Sequence, residues 1–562
     1  MADAWGLVGT LWRARLIAPM RPDRYLRMGM AMRRAGLTAT VGFAAAAQRC
    51  PDRAGLIDER GTLTWRQLDD RCDALGVALQ QRNPDSGLPA TVAVMCRNHR
   101  GFIEALVGAN RIGADVVLLN TSFAGPAMAE VIERESAGRP ITVIYDEEFT
   151  DTVERALRDI PNATRILAWT DSSDSADSAD SADSADSTDN TDVTGSATAT
   201  VDSLIEAHLG RRPRPASRKS DVILLTSGTT GAPKGAKRSA GSGGAGDLKA
   251  VLDRTPWRAE EPIVIAAPMF HAWGFSQLLF AALLACPIVT RRKFDPEATL
   301  ALIDRHRATG LAVVPVMFDR IMDLPDDVRN RYSAKSLRFA TASGSRMRPD
   351  VVTAFMDQFG DVIYNNYNAT EAGMIATATP ADLRAAPDTA GRPADGTELR
   401  ILDADHREVA DGEVGQIFVR SSTLFDGYTS GATKDFHDGF MASGDMGYLD
   451  AAGRLFVVGR DDEMIVSGGE NVYPIEVEKT LTAHPGVAEA AVLGVDDEQY
   501  GQRLAAFVVL DKGASVEVDD LKQHVRDNLA NYKVPRDITL LPALPRGSTG
   551  KILRNELRNR PG

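Results

Sequence analysis

The sequence predicts an α/β protein with a doubly wound parallel sheet, followed by a separate small α+β unit. Three observations carry this prediction. Between Ala90 and Asp146, short apolar runs alternate with helical patterns, the rhythm of strand–helix–strand crossovers in a parallel sheet. The apolar run Val222-Ile223-Leu224-Leu225 reads as a buried strand and feeds into a loop of small and hydroxylated residues. Beyond Arg460, strand patterns bracket a single helical one, as in an α+β unit.

Taken in order, residues 1–40 form a basic arm. Residues 1–36 hold seven arginines and two aspartates, a balance of +5. Trp5, Val8, Trp12 and Leu16 fall at helical spacing. Two readings stand: a helix packed on the body of the protein, which is preferred, or a basic amphipathic segment resting on a membrane surface. Arg13 and Arg15 interrupt any apolar centre, so the start does not read as a secretory leader.

The alternating region gives strands at Thr91–Met95, Asp115–Leu119 and Ile141–Tyr145, with helices at Phe102–Ile112 and Pro126–Glu135. Aspartate then recurs every third residue from Asp171 to Asp192, with serine and alanine between. Such a tract repels itself and has nothing apolar to bury, so residues 171–193 are expected to be disordered, a tolerated loop expansion. The longest apolar run, Leu278 to Val289, is broken by Pro287 and reads as a buried helix running into a strand. In the C-terminal unit the strands are Val487–Val495, Leu504–Leu510 and Ile538–Leu541, and the helix is Val518–Leu529.

At 562 residues the chain exceeds a single core, and 44% hydrophobic content is ample for more than one. A net charge of −13 argues against general nucleic-acid binding. The four cysteines and eight histidines show no paired spacing, so neither a disulfide framework nor a metal cluster is suggested, and a cytoplasmic location fits. Arginine outnumbers lysine 52 to 12, which makes a lysine inside a motif informative.

Eight segments carry chemistry. The loop Ser227-Gly228-Thr229-Thr230-Gly231-Ala232-Pro233-Lys234-Gly235, with Thr226 before it, has the small residues, hydroxyls and positive charge that cradle phosphate. It is not a Walker A loop, because no Lys-Ser or Lys-Thr follows its last glycine. His271 and Trp273 lie in Ala267–Gly274. Val314-Pro315-Val316 and Ala342-Ser343-Gly344-Ser345 look like strand ends opening into a crevice, where doubly wound sheets bind ligands. In Asn365-Asn366-Tyr367-Asn368-Ala369-Thr370-Glu371, Tyr367 offers a face for adenine and Thr370 a phosphate hydrogen bond. Glu371 offers a hard oxygen for Mg²⁺, and Asn368 tolerates the positive φ of a turn. Ser443-Gly444-Asp445 supplies a carboxylate able to accept from two hydroxyls. Gly459–Pro474 reads as a hairpin with turn residues, and Leu544–Arg554 places Lys551 in a Gly-Lys pair.

Loop, histidine block, Tyr-x-x-Thr-Glu, Gly-Asp, hairpin and terminal lysine stand in an order that resembles the adenylate-forming enzymes. These comprise acyl-CoA synthetases, luciferases and peptide-synthetase adenylation domains, and the resemblance is nearest to bacterial fatty-acid–CoA ligases of the long-chain type. It implies a large domain over 41–460, with doubly wound sheets and a small β-barrel-like part, and a mobile C-terminal domain over 461–562. It implies ATP and CoA as co-substrates and Mg²⁺ on Thr226 and Glu371. Nucleotide contacts would come from Thr226, Ser227, Gly228, Thr229, Thr230, Gly231, Lys234, Gly344, Ser345, Asn366, Tyr367, Thr370, Asp445, Arg460 and Lys551. The catalytic set would be Lys551, Lys234, Glu371 and His271. The acyl and CoA path would use His271, Trp273, Val316, Gly468 and Gly469, and the hinge Asp462. Val466 and Asn471 depart from residues often found at their places. The implied reaction activates a fatty acid through an acyl-adenylate to its CoA thioester. Rivals are an acyl-AMP ligase loading a carrier protein and an aromatic-acid–CoA ligase. A non-catalytic nucleotide sensor is disfavoured, because Lys234, Glu371, Asp445, Arg460 and Lys551 are all present.

Overall fold

A computed structural model describes residues 2–35, 38–82, 91–160, 163–171, 199–216, 218, 220–226, 234–237, 245–421, 424–425, 427–428, 433–467, 470–497, 501–547 and 550–558. The chain divides into two compact units. One comprises 1–313, 320–341 and 425–433; the other comprises 314–319, 342–424 and 434–562.

The first unit contains an eight-stranded sheet. Its order is Gly427–Tyr428, Lys234–Lys237, Val222–Thr226, Asp115–Leu118, Thr91–Met95, Ile141–Asp146, Ala163–Trp169 and Ala199–Thr200. From Val222–Thr226 onward the strands run parallel. The chain lays down Thr91–Met95, adds Asp115–Leu118 on one side, then crosses to add Ile141–Asp146 on the other, which is the double winding predicted. These three strands are buried at every position. Both faces are covered, so the sequence shows unbroken apolar runs rather than alternation. The crossover helices span Arg100–Arg111 and Gly125–Ser136. One face of the sheet packs Val143 and Tyr145 against Met128, Val131 and Val153. A second set of strands in this unit runs Gly310–Val313, Ile263–Ile265, Ile288–Val289, Ala54–Asp58 and Gly61–Thr64. The helix Ala272–Leu283 precedes strand Ile288–Val289, as the apolar run implied.

The first crossover helix begins two residues before its apolar pattern, and the cause is local. His99 caps it: Nδ1 accepts from the Gly101 N–H at 3.1 Å. That leaves the proton on Nε2, which faces Asp146 at 2.8 Å. Asp146 also accepts from the Arg97 N–H at 2.9 Å. Cys96, His99 and Asp146 are all buried, with ligating atoms within 4.8 Å of one another. The expectation of no cysteine–histidine cluster is therefore corrected. Asp146 arrives from a separate strand, a distance in sequence that spacing rules do not reach.

The N-terminal arm forms helices Ala2–Arg13 and Pro22–Ala35. The first stops at Arg13, and Arg15 takes a left-handed φ of 57°, so Leu16 leaves the expected stripe. The packed face is Thr10 and Ala14, 1% and 3% exposed, while Val8 and Trp12 are 47% and 60% exposed. Thr10 and Arg13 reach Asp253 at 2.5 and 2.6 Å. The arm packs on its unit through the polar and small residues Thr10 and Ala14, while Val8 and Trp12 of the expected stripe stay exposed. No helix among the described residues is long and apolar enough to cross a membrane. Residues 172–193 of the aspartate tract lie outside the described residues. Asp171 is anchored by Arg292 at 2.8 Å and donates its N–H to Glu147 at 2.8 Å.

In the second unit, Ile363–Ala369, Gly373–Ala378 and Arg392–Pro393 pair antiparallel. A half-barrel follows, with order Thr397–Leu402, Gly415–Ser421, Phe440–Leu449, Phe436–His437, and Leu455–Arg460 pairing with Phe440–Leu449. Its core holds Leu402, Phe418, Phe440 and Ala442. The last sheet runs Glu470–Val472, Ile465–Ser467, Gly501–Leu510 and Val487–Asp497, with Asp537–Leu540 parallel to Gly501–Leu510. Helices Pro474–Thr482 and Val518–Asn528 cover it through Val477, Leu481, Leu521 and Val525. The long hairpin extends beyond the predicted strands. Polar residues continue its ladder as far as Asp497 opposite Gly501.

Candidate active site

In the second unit three backbone elements bring the motif residues together. Strands Phe440–Leu449 and Leu455–Arg460 pair in a register that sets Asp445 opposite Arg460. Gly444, at φ 84°, turns the backbone just before the carboxylate. The Asp445 N–H donates to Ser443 Oγ at 3.1 Å, which fixes the loop. From the neighbouring hairpin, the Tyr367 hydroxyl donates a short hydrogen bond to the Asp445 carboxylate. Arg460 lies 3.8 Å from the other carboxylate oxygen. Lys434 donates to the Ser443 carbonyl at 3.3 Å. A side chain added at Gly444 would meet both Arg460 and Lys434 at 3.4 Å.

Asp445 is thus a carboxylate held by a phenol and faced by cations. Burial pushes its carboxyl above the usual range, while the Tyr367 hydrogen bond, Arg460, Lys434 and Lys551 pull the other way. The Tyr367 phenol is pushed up, first by burial and then by the adjacent Asp445 charge. Lys551 belongs to the same cluster. Its ammonium pKa is lowered, first by loss of hydration and then by Arg460, against the opposing charges of Asp445, Glu463 and Glu371. The residue still presents surface to solvent, which screens part of this effect.

The loop that carries Lys551 is clamped. Gly547 donates its N–H to the Lys551 carbonyl at 2.8 Å, and Arg546 donates to the Gly550 carbonyl at 2.6 Å. Arg546 also pairs with Glu489 on strand Val487–Asp497 at 2.7 Å. Gly550, at φ 77°, packs so tightly that a Cβ would stand 2.3 Å from Val316 Cγ1. Only glycine fits there on both counts. Val316 lies on helix Pro315–Met322, directly after strand Gly310–Val313. Lys434, Arg546 and Glu489 are contributors that motif reading did not select. Arg546 was visible within the terminal motif, whereas Glu489 comes from another element.

Thr370 and Glu371 occupy the turn between Ile363–Ala369 and Gly373–Ala378, where Gly373 has φ 74°. The positive φ expected of Asn368 is not needed. Asn368 is within the strand, and a register shift between Tyr367 and Asn368 makes the adjustment instead. Asn366 is buried, with its amide nitrogen on the Ala342 and Tyr364 carbonyls at 3.4 and 3.3 Å and its oxygen accepting from Thr377 at 3.0 Å. It ties the Tyr367 strand to the one that ends at Ser343. Gly344, at φ 101°, and Ser345 follow as exposed residues.

In the first unit, Thr226 and Lys234 pair across the antiparallel strands Val222–Thr226 and Lys234–Lys237. Ser227, Gly228, Thr229, Thr230 and Gly231 lie outside the described residues, as do Gly468 and Gly469. His271 stands at the N-cap of helix Ala272–Leu283, its ring 4.5 Å from Phe270. Trp273 Nε1 donates to the Val313 carbonyl at 2.9 Å. Asn98 clamps the preceding turn, donating to the Ala267 carbonyl and accepting from the Met269 N–H, both at 2.9 Å. Asp462 lies in the 3₁₀ turn Asp461–Glu463, between the half-barrel strand Leu455–Arg460 and the first strand of the last sheet.

The model of AMP-binding enzymes matches residues 43–429, and that of their C-terminal domain matches residues 476–551. The chain belongs to the AMP-binding enzyme family. An indoleacetate–CoA ligase of Aromatoleum aromaticum is 30% identical over 88% of this chain and 92% of its own. A feruloyl-CoA synthase of an Amycolatopsis species is 30% identical over 92% of this chain and 97% of its own. Among solved structures, an anthranilate CoA ligase in complex with anthranoyl-AMP superposes with a TM-score of 0.78. It is 23% identical and covers 93% of this chain and 96% of that one. That last likeness is one of fold. Within the family frame, the 476–551 match takes in the clamped loop and ends on Lys551.

Proposed function

We propose that this protein is an AMP-forming acid–CoA ligase. The gathering of Tyr367, Asp445, Arg460 and Lys551 in one unit carries the reading. In the first half-reaction a substrate carboxylate oxygen attacks the α-phosphorus of ATP. The P–O bond to pyrophosphate breaks, leaving an acyl-adenylate. In the second, the CoA thiolate attacks the acyl carbonyl carbon and AMP departs. The barrier to the first step is repulsion between two anions, and fixed cations lower it. Lys551 is assigned to the reacting carboxylate and α-phosphate, Arg460 and Asp445 to the ribose, Tyr367 to the adenine and Thr370 to phosphate. Lys234 and the 226–231 loop are assigned to the remaining phosphates, and His271 to the carbonyl side. Glu371, a carboxylate at a hairpin turn, and Thr226 offer the hard oxygen donors Mg²⁺ takes, and that ion would supply further charge neutralisation. The domain division at 460/461, with rotation about Asp462 bringing Gly468 and Gly469 to the thiol path, belongs to the same proposal.

For the acid, a medium- to long-chain fatty acid is favoured. The segments assigned to the acyl site, 270–275 and 314–317, carry no lysine, arginine or carboxylate to match a second charged group. An aromatic monocarboxylate is the second reading, supported by the indoleacetate and feruloyl relatives. Mass spectrometry of a reaction with ATP, Mg²⁺, CoA, fatty acids of graded length, benzoate and indoleacetate separates them. Fatty acyl-CoA with AMP supports the first reading, and aromatic acyl-CoA the second. Acyl-AMP without a CoA product overturns the ligase assignment in favour of transfer to a carrier.

A further inference from the structure

Among the described residues, twelve large apolar side chains are exposed, and six of them lie between Val8 and Met30. They are Val8, Trp12, Ile17, Tyr25, Leu26 and Met30, between 38% and 67% exposed. On the first helix, Val8 and Trp12 share one face, opposite the Thr10 and Ala14 side that packs on Asp253. On the second helix, Leu26 and Met30 are one turn apart, with exposed Arg33 next along the same face and Arg34 beside it. This helix buries none of its residues.

We infer that this arm docks on an anionic lipid surface, with both helices lying in the interfacial plane. The charge pattern selects that occupant. The arm carries +5 within a chain of net −13; Arg13 and Arg15 pair with Asp253 and Glu261, while Arg33 and Arg34 lie exposed beside the apolar side chains. Negative headgroups attract such a segment, and Trp and Tyr seat at the headgroup boundary with one apolar and one polar edge. Arginines flanking the apolar face extend their guanidinium groups to the phosphates while their stems stay on the apolar side. A second copy of this chain is a poor occupant, because two like-charged arms would meet face to face. The inference is independent of the acid–CoA ligase assignment.

The test is co-sedimentation of the full-length protein with phosphatidylglycerol–phosphatidylcholine vesicles and with phosphatidylcholine vesicles alone. Binding to the mixed vesicles is expected to exceed binding to the neutral ones by about tenfold or more, and to fall steeply at high salt. Two double variants, W12S/L26S and R33E/R34E, should each weaken binding by about tenfold without changing the thermal unfolding midpoint. Equal binding to both vesicle types, no wild-type binding, or wild-type binding by both variants overturns the proposal. So does self-association in sedimentation velocity that W12S/L26S abolishes while no vesicle is bound, which assigns the face to a second copy.

Discussion

In the proposed mechanism Lys551 is the residue assigned to the reacting carboxylate and α-phosphate. Its ammonium pKa is lowered, first by loss of hydration and second by Arg460. A lowered value means the positive charge is lost at a lower pH than for a free lysine. The adenylation rate should therefore decline on the alkaline side below the ordinary lysine range, with the protonated form the active one. ATP–pyrophosphate exchange against pH checks this, and a limb at or above the ordinary range contradicts it. Lys551→Ala should reduce exchange by about a hundredfold or more. Thioester formation from supplied acyl-AMP should persist, because the second step no longer joins two anions. Equal loss in both half-reactions would place Lys551 elsewhere in the mechanism.

At the scale of elements, charge holds the turns at the carboxyl ends of the parallel strands. Glu148, after strand Ile141–Asp146, accepts from Nε and Nη2 of Arg97, both at 2.8 Å. It also lies 3.0 Å from Arg292 and 3.3 Å from Lys293. Burial alone would raise its carboxyl pKa, but Arg97 and Lys293 overcome this and bring it down to about 2. A folded-state pKa below the unfolded one stabilises above the unfolded value, and that stability is lost as pH falls toward 2. Glu148→Gln should cost roughly 1–2 kcal/mol at neutral pH after solvent screening. The gap between variant and wild type should close through the acid range, as denaturant melts at stepped pH would read. A second element-scale expectation concerns the 3₁₀ turn Asp461–Glu463. Proline at Asp462 restricts the backbone there, so Asp462→Pro should slow thioester formation more than adenylation. Wild-type rates in both half-reactions would remove the hinge assignment.

For the molecule as a whole, the aspartate tract is expected to be dispensable. Asp171 is engaged with Arg292 and Glu147, so a deletion is best begun after it. Removing residues 172–193 should leave turnover within about twofold, since such a tract has no apolar surface to contribute. A large loss of turnover would give it a role.

Local chemistry made much of the fold legible. The doubly wound sheet could be read because strands such as Thr91–Met95, buried on both faces, leave unbroken apolar runs. The C-terminal hairpin is longer than its apolar pattern, because its outer rungs are polar and add an Arg503–Asp497 ion pair at 3.5 Å to the backbone ladder. Candidate site residues were legible wherever one motif holds both the chemistry and its spacing, as around Asp445 and Lys551. By itself the sequence determined the order of the motifs, the family they point to and the charge asymmetry of the arm, all of which are local or additive properties. Only the tertiary structure decided which distant groups meet. Tyr367 reaches Asp445 across two hairpins, Asp146 joins Cys96 and His99, and Glu489 holds the Lys551 loop through Arg546. It also decided that Trp12 turns outward while Thr10 and Ala14 pack. A helical repeat fixes which residues share a face, but the neighbouring surface selects the face that is buried.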